Sequence, residues 1–267
     1  MRYLPSTRAA ADLGTCATLA SYRWCTSNLV GERWRRTNYR NHEVDLFAGP
    51  AVAAGIAIGE LCSLRGLAIP VAACGAAIVG HLDDVRGARA QEVADKGIAG
   101  HLAALRSGRI SAGVIKVAGL VGIGLASSLL GGQRGRRDVV LDAACIAGAA
   151  NLLNLFDLRP GRALKVASAV SGASMAFGDP TGAILGSSVA MLPLDLAERT
   201  MLGDSGANAL GAALGASLVR NRSVASRVTL LAGITAATLT SERVSFSAVI
   251  ERHPLLRAMD RWGRVKP

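Results

Sequence analysis

The sequence predicts an all-α fold: a polytopic helical membrane protein of about nine transmembrane helices. Three observations carry that expectation. Apolar runs rich in Ala, Gly, Val, Leu and Ile recur about every 25 to 30 residues. Charged residues make up only 18% of the 267 positions, and the mean hydropathy is +0.34, too apolar for an ordinary soluble domain of this length. Acids number only 19, and the conspicuous ones stand at the ends of apolar runs. In a bilayer each span satisfies its own backbone hydrogen bonds, which is why such a chain is read as helices. A large soluble α/β protein with buried strands is the competing reading, and many runs fall short of the ~20 residues of a full span, which leaves the individual span boundaries loose.

Taken in order, the first span is 9–19, which is short. A basic stretch follows, Arg33-Trp34-Arg35-Arg36-Thr37-Asn38-Tyr39-Arg40. The second and third spans are 46–64 and 66–82, and the third runs straight into Asp83-Asp84. The polar segment 86–109 has no apolar run of membrane length. Spans four and five are 111–130 and 139–156, joined by a short basic loop. Arg159-Pro160-Gly161-Arg162-Ala163-Leu164-Lys165 then makes a tight basic turn into span six, 163–177. Gly178-Asp179-Pro180-Thr181-Gly182 reads as a β-turn. Spans seven, eight and nine are 183–194, 207–219 and 224–239. The tail, 240–267, is polar and basic, with one amphipathic helix expected over 246–262. Residues 1–267 thus read as one membrane domain with a cytoplasmic tail.

Charge sets the orientation. With nine alternating spans, the side bearing Asp83-Asp84 carries 20 of the 30 Lys and Arg residues, the other side nine, and Lys116 lies inside a span. The positive-inside rule makes the Asp83-Asp84 side cytoplasmic, with the N-terminus outside and the C-terminus inside. The net charge of +11 is then a property of cytoplasmic loops, and nucleic acid is not an expected partner. The five cysteines show no CxxC spacing and read as small hydrophobes. Asp12 and Gly14 interrupt the first apolar region, so it does not read as a clean signal peptide.

Three acidic sites reach the cytoplasmic face: Asp83-Asp84, Asp157 and Asp204. Adjacent carboxylates at the end of a span can bind a divalent cation or share proton work, and the alternative is a solvated helix end. Asn151, Asn154 and Asp157 recur at three-residue intervals, which puts them on one helix face. Two carboxamides and a carboxylate there can grip a polar ligand, or serve only interhelical hydrogen bonds. Asp204 stands among small residues in Gly203-Asp204-Ser205-Gly206, where backbone can approach a phosphate or a metal closely. The same Gly-Asp-Ser-Gly string surrounds the nucleophile of trypsin-like proteases, but no other protease signature accompanies it. Gly211 and Gly215 form a GxxxG packing face. His81 is expected to make a structural hydrogen bond beside the Asp pair, and His42 and His101 to lie in loops.

The order of these motifs resembles a known family. Leu82-Asp83-Asp84-Val85-Arg86-Gly87 is similar to the DDxxG motif of the MraY/WecA-type polyprenyl-phosphate N-acetylhexosamine-1-phosphate transferases. Asn151 to Asp157 resembles their NxxNLxDG motif, and Gly203 to Gly215 their GDxGSxxLGxxLG motif. The resemblance spans roughly residues 33 to 260 and identifies the chain as a divergent member. It implies a Mg²⁺-dependent enzyme of the plasma membrane that moves a sugar-1-phosphate from a UDP-sugar to a polyprenyl phosphate, in cell-envelope glycan synthesis such as that of peptidoglycan. Asp83, Asp84 and Asp204 would be catalytic, with Asp204 and Asp84 on the metal. Asn151, Asn154, Asp157 and His253 would line the nucleotide–sugar pocket, and Arg159, Arg162 and Lys165 would meet the diphosphate or act as plain positive-inside anchors. A homodimer is compatible with the resemblance.

The sequence departs from the family at two places. Asp157-Leu158-Arg159-Pro160-Gly161 lacks the family's second carboxylate, and Glu251-Arg252-His253-Pro254-Leu255 offers one histidine where the family has a His-rich cluster. The family's last span is also absent. These departures support a second expectation: a relative without catalysis that binds the lipid or nucleotide and regulates or scaffolds envelope synthesis. A small transporter would instead place its acids near mid-span.

Overall fold

The structure is a computed structural model that describes residues 4–29, 31–64, 66–86, 111–132 and 135–265. Among these residues it has eleven α-helices and one short β-hairpin. The helices are α1 (Leu4–Asn28), α2 (Ala48–Cys62), α3 (Ala68–Arg86), α4 (Ala112–Leu130), α5 (Arg136–Phe156), α6 (Arg162–Ala176), α7 (Gly182–Leu196), α8 (Gly203–Val219), α9 (Val224–Arg243), α10 (Phe246–Arg252) and α11 (Pro254–Arg261). Each of the nine expected spans coincides with one of α1 to α9. Four of them, α3, α4, α5 and α9, are long and apolar enough to cross a membrane. Large side chains on these helices face outward, among them Ile78, Val117, Leu129 and Val228. Such a surface suits lipid better than water.

Helix α8 is the post of the bundle. All but two of its residues are buried, and α2, α3 and α5 pack around it. Small residues make this possible. A Cβ on Gly215 would stand 2.8 Å from Ile146 Cα of α5, and one on Gly206 would stand 2.8 Å from Gly49 Cα of α2. Without side-chain bulk the helix backbones come into direct contact, the usual route to close packing in lipid. The expected packing role of Gly211 and Gly215 is therefore realised against α5. At the far end of α5, Arg227 of α9 pairs with Asp142 (2.9 Å) and Asp138 (2.5 Å), which ties α9 to the bundle by a buried charge cluster.

Four features differ from the sequence reading. Helix α1 is 25 residues long, well beyond the apolar run at its centre. It packs on α2 and α7 as well as facing outward, so polar residues such as Arg8 and Arg23 are accommodated at its ends. The basic stretch contains strand β1 (Arg35–Thr37), paired antiparallel with β2 (Glu43–Asp45). The expected tail helix over 246–262 is two helices, because Pro254 cannot donate the backbone hydrogen bond that would carry α10 onward. Asp83 and Asp84 lie in the last turn of α3 rather than beyond it. The polar segment 87–110, with His101, lies outside the described residues.

Candidate active site

Helix α8 begins at Gly203, whose φ of +60° is a left-handed conformation that glycine adopts without strain. The backbone N–H groups that open a helix have no partner within it. Here a carboxylate from elsewhere in the chain takes two of them. Asp84 accepts the N–H of Asp204 and that of Ser205, both at 3.1 Å. Asp157 and Asp195 add negative charge near this helix end, and Asp195 accepts the N–H of Gly161 at the start of α6. Negative charge is favoured at this helix end by the macrodipole. A cavity of about 110 Å³ opens beside this point, lined by Tyr39, Asp157, Arg159, Asp195, Glu198 and Thr200 among others. Burial, then the charges of Asp195, Asp204 and Asp84, push the Asp157 carboxyl well above the usual carboxylate range.

One turn away, three oxygens converge on one cation. Lys116 of α4 sends its ammonium between α3, α5 and α8. It lies 3.1 Å from Asp83 Oδ2 and makes a second, closer ion pair with Asp204 Oδ2. Asn154, with its amide turned to satisfy both neighbours, accepts from Lys116 Nζ at 2.9 Å and donates to Asp204 Oδ1 at 3.0 Å. The Lys116 side chain is 11% exposed, against 20% for Asp83 and 28% for Asp204. The cluster is thus shielded on the lysine side and open on the acid side.

The hairpin closes the end of α3. Arg36 Nη2 donates to the carbonyl of Asp84, which caps the helix with a positive charge. Trp34 stacks on His81 at 4.6 Å between centroids and packs against Phe47 at 5.4 Å. Where a structural hydrogen bond is expected of His81, the contact that holds its ring is instead the stack on Trp34.

The structure brings together Asp83, Asp84, Asn154, Asp157 and Asp204 from three separated motifs. Asn151 lies one turn before Asn154 on α5 and is half-buried. Arg159 stacks its guanidinium over the Tyr39 ring at 4.3 Å, at the rim of the cavity. Two expected diphosphate ligands have other tasks. Arg162 is buried in a two-pronged pair with Asp260 (2.8 and 3.1 Å) and bonds Ser247 (2.9 Å). Lys165 donates to the backbone carbonyls of Met259, Asp260 and Trp262 at the end of α11. Both therefore hold the tail, for a physical reason: a buried arginine needs a partner carboxylate, and the last carbonyls of a helix need donors. His253 is exposed at the joint between α10 and α11.

The sequence reading missed Lys116 and treated it only as a charge inside a span. The signal was present, since it is the one charged residue of the run 111–130. An intramembrane charge marks function by default.

Among the described residues no three His, Cys, Asp or Glu side chains gather as a metal site. The Lys116 seat offers two carboxylate oxygens and one amide oxygen instead. All three are hard donors, and Mg²⁺ commonly takes one or two carboxylates and completes its shell with water and phosphate. The donor chemistry fits that ion at Asp83, Asn154 and Asp204. Asp84, expected as a ligand, has both oxygens engaged at the start of α8. Neither the models of known protein families nor the curated proteins include a match to this chain.

Proposed function

We propose that this chain is a nine-span protein of the plasma membrane that transfers a sugar-1-phosphate from a UDP-sugar to a polyprenyl phosphate at the cytoplasmic face. The observation that carries the reading is the convergence of Asp83, Asn154 and Asp204 on one cation seat, from three motifs that lie far apart in the chain. The order of those motifs resembles the MraY/WecA-type transferases, and the excess of Lys and Arg on the motif side orients the site to the cytoplasm.

The reaction follows from the groups at hand. A phosphate oxygen of the lipid attacks the β-phosphorus of the UDP-sugar. The bond from that phosphorus to the oxygen bridging the α-phosphate breaks, UMP leaves, and the sugar keeps the β-phosphate in a new diphosphate with the lipid. Asp83 stands on the exposed side of the cluster, where it orients the acceptor phosphate and takes its proton when one is present. Lys116 and Arg159 supply positive charge for the donor diphosphate. Asn154 and Asp157 bound the donor pocket, and Asp84 fixes the start of α8 so that Asp204 keeps its position. Asp204, Asn154 and Asp83 would hold Mg²⁺, which when bound neutralises charge on the diphosphate.

A second reading, a relative without catalysis that binds lipid phosphate or nucleotide-sugar, is favoured by one observation. Arg162 and Lys165, the basic residues nearest the altered Asp157-Leu158-Arg159 segment, are both engaged with the tail. The test is UMP release by purified protein with Mg²⁺, undecaprenyl phosphate and a panel of UDP-sugars. Release lost in Asp83→Asn and in Asp204→Asn supports the transferase. Saturable binding without release supports the second reading.

A further inference from the structure

Lys116 occupies the seat that the proposed function gives to a divalent cation. Its ammonium has three N–H donors, and three oxygens face it: Asp83 Oδ2, Asp204 Oδ2 and Asn154 Oδ1. These are the same three oxygens that would face Mg²⁺. Two cations cannot share one cage of this size, because each would lose its oxygen contacts to the other's repulsion. The three oxygen donors sit on α3, α5 and α8, and α3 and α5 each pack directly on α8, the post helix. The lysine comes from α4, the one wall that donates no oxygen. Its four-carbon stem can therefore swing away while the oxygens stay in place.

We propose that Lys116 is the resident counter-ion of the cation site, and that a divalent metal binds only as the Lys116 ammonium leaves. This inference rests on the metal reading above. The exchange has two consequences. Without metal, the ammonium keeps Asp83 and Asp204 from repelling each other, so the site stays folded. On metal entry, the displaced ammonium becomes a free positive charge beside the site, available to an anionic phosphate. Metal entry and phosphate capture are thereby linked through one side chain.

The affinity effect has a definite sign. A site open to metal in only a fraction of the molecules binds more weakly by that fraction, so if the lysine is out in about a tenth of them its removal tightens binding about tenfold. Lys116→Met removes the charge and keeps the length. Lys116→Gln also keeps a donor toward the oxygens and is the milder change for folding. The probe is Mn²⁺, titrated into protein in detergent and followed by electron paramagnetic resonance. Tighter binding in both variants, about tenfold, with loss in Asp204→Asn, is the expected result. Equal or weaker binding in both variants, beside normal binding in the wild type, would overturn the exchange and leave the metal reading intact. No binding to wild type or to either variant would overturn both. Wild-type protein gives an independent reading through reductive methylation of Lys116, followed by mass spectrometry. Methylation should rise when saturating Mn²⁺ is added, and the same low level with bound metal would overturn the exchange.

Discussion

An alanine at position 80 would press directly on the site. Gly80 lies on α3 one turn before Asp84, where α3 meets the first turn of α8. A Cβ there would overlap the Asp204 carbonyl and stand 2.6 Å from Ser205 N, against the 3.4 Å or more of an ordinary contact. Backbone cannot turn aside as a side chain can, so α3 and α8 must part by about 0.8 Å or more. Overpacking of that order costs about 1 to 3 kcal/mol. A misplacement approaching 1 Å in a reacting constellation costs about a hundredfold in rate. Asp83 and Asp84 would move away from Asp204 together. Gly80→Ala should therefore melt lower than wild type in detergent and lose about a hundredfold in UMP release. Gly122→Ala is the matched control, since a Cβ there meets nothing within 4 Å. It should be neutral or slightly stabilising, because alanine suits a helix interior better than glycine. Wild-type melting and turnover in Gly80→Ala would refute the close approach of α3 and α8 on which the site depends.

Four other outcomes follow from the same geometry. Asp84→Ala leaves the N–H groups of Asp204 and Ser205 without an acceptor; at about 1.5 to 3 kcal/mol for each hydrogen bond to a charged group, thermal melts should show a loss of about 3 to 6 kcal/mol, with or without Mg²⁺. Arg162→Met unpairs a buried carboxylate and should free the tail, read as faster proteolysis within 245–265; an unchanged cleavage rate would show that the clamp is dispensable. The Asp157 carboxyl, raised by burial and by Asp195, Asp204 and Asp84, binds its proton more tightly folded than unfolded. Stability from this group therefore falls as pH rises from about 4 through the raised value, and Asp157→Asn should out-melt wild type at pH 7 but not at pH 4. In a cysteine-free background, Leu158→Cys should label from the cytoplasm and Phe177→Cys from outside, both side chains being well exposed; labelling of both from one side would overturn the orientation.

The tail clamp responds to acid in the opposite sense. Burial alone would raise the Asp260 carboxyl, but the hydrogen bonds from Arg162 and the charges of Arg162 and Arg264 outweigh it and hold the group below its ordinary range. A depressed carboxylate stabilises the fold above its unfolded pKa and loses that contribution as pH falls through the folded one. The tail is thus the part of the site region that acid should release, while Asp157 is the part it should relieve.

Much of this arrangement was legible in the residues because membrane helices write their hydrophobicity continuously along the chain. Each run of Ala, Gly, Val, Leu and Ile became one helix, and acids at run ends became a cluster at one end of the bundle. What escaped was set by partners that no local pattern reveals. Arg162 and Lys165 look like free basic residues after a loop, yet Asp260 and the end of α11 claim them from about a hundred residues away. The same holds for Asp84, whose partners at 204 and 205 decide that it holds a helix end. Lys116 and Pro254 are different, since both carried their meaning in the sequence. A lone charge inside an apolar run and a proline inside an amphipathic one are local signals.

The most direct test of the proposed transfer follows the phosphorus itself. A UDP-N-acetylhexosamine labelled with ³²P at the β-phosphate is incubated with the purified protein, Mg²⁺ and undecaprenyl phosphate, and the organic and aqueous phases are counted. The account predicts that the label passes with the sugar into the lipid phase while unlabelled UMP stays in water, and that Asp204→Asn abolishes the transfer. Label that remains in water as UDP or UDP-sugar, or that reaches the lipid equally well in Asp204→Asn, would contradict it.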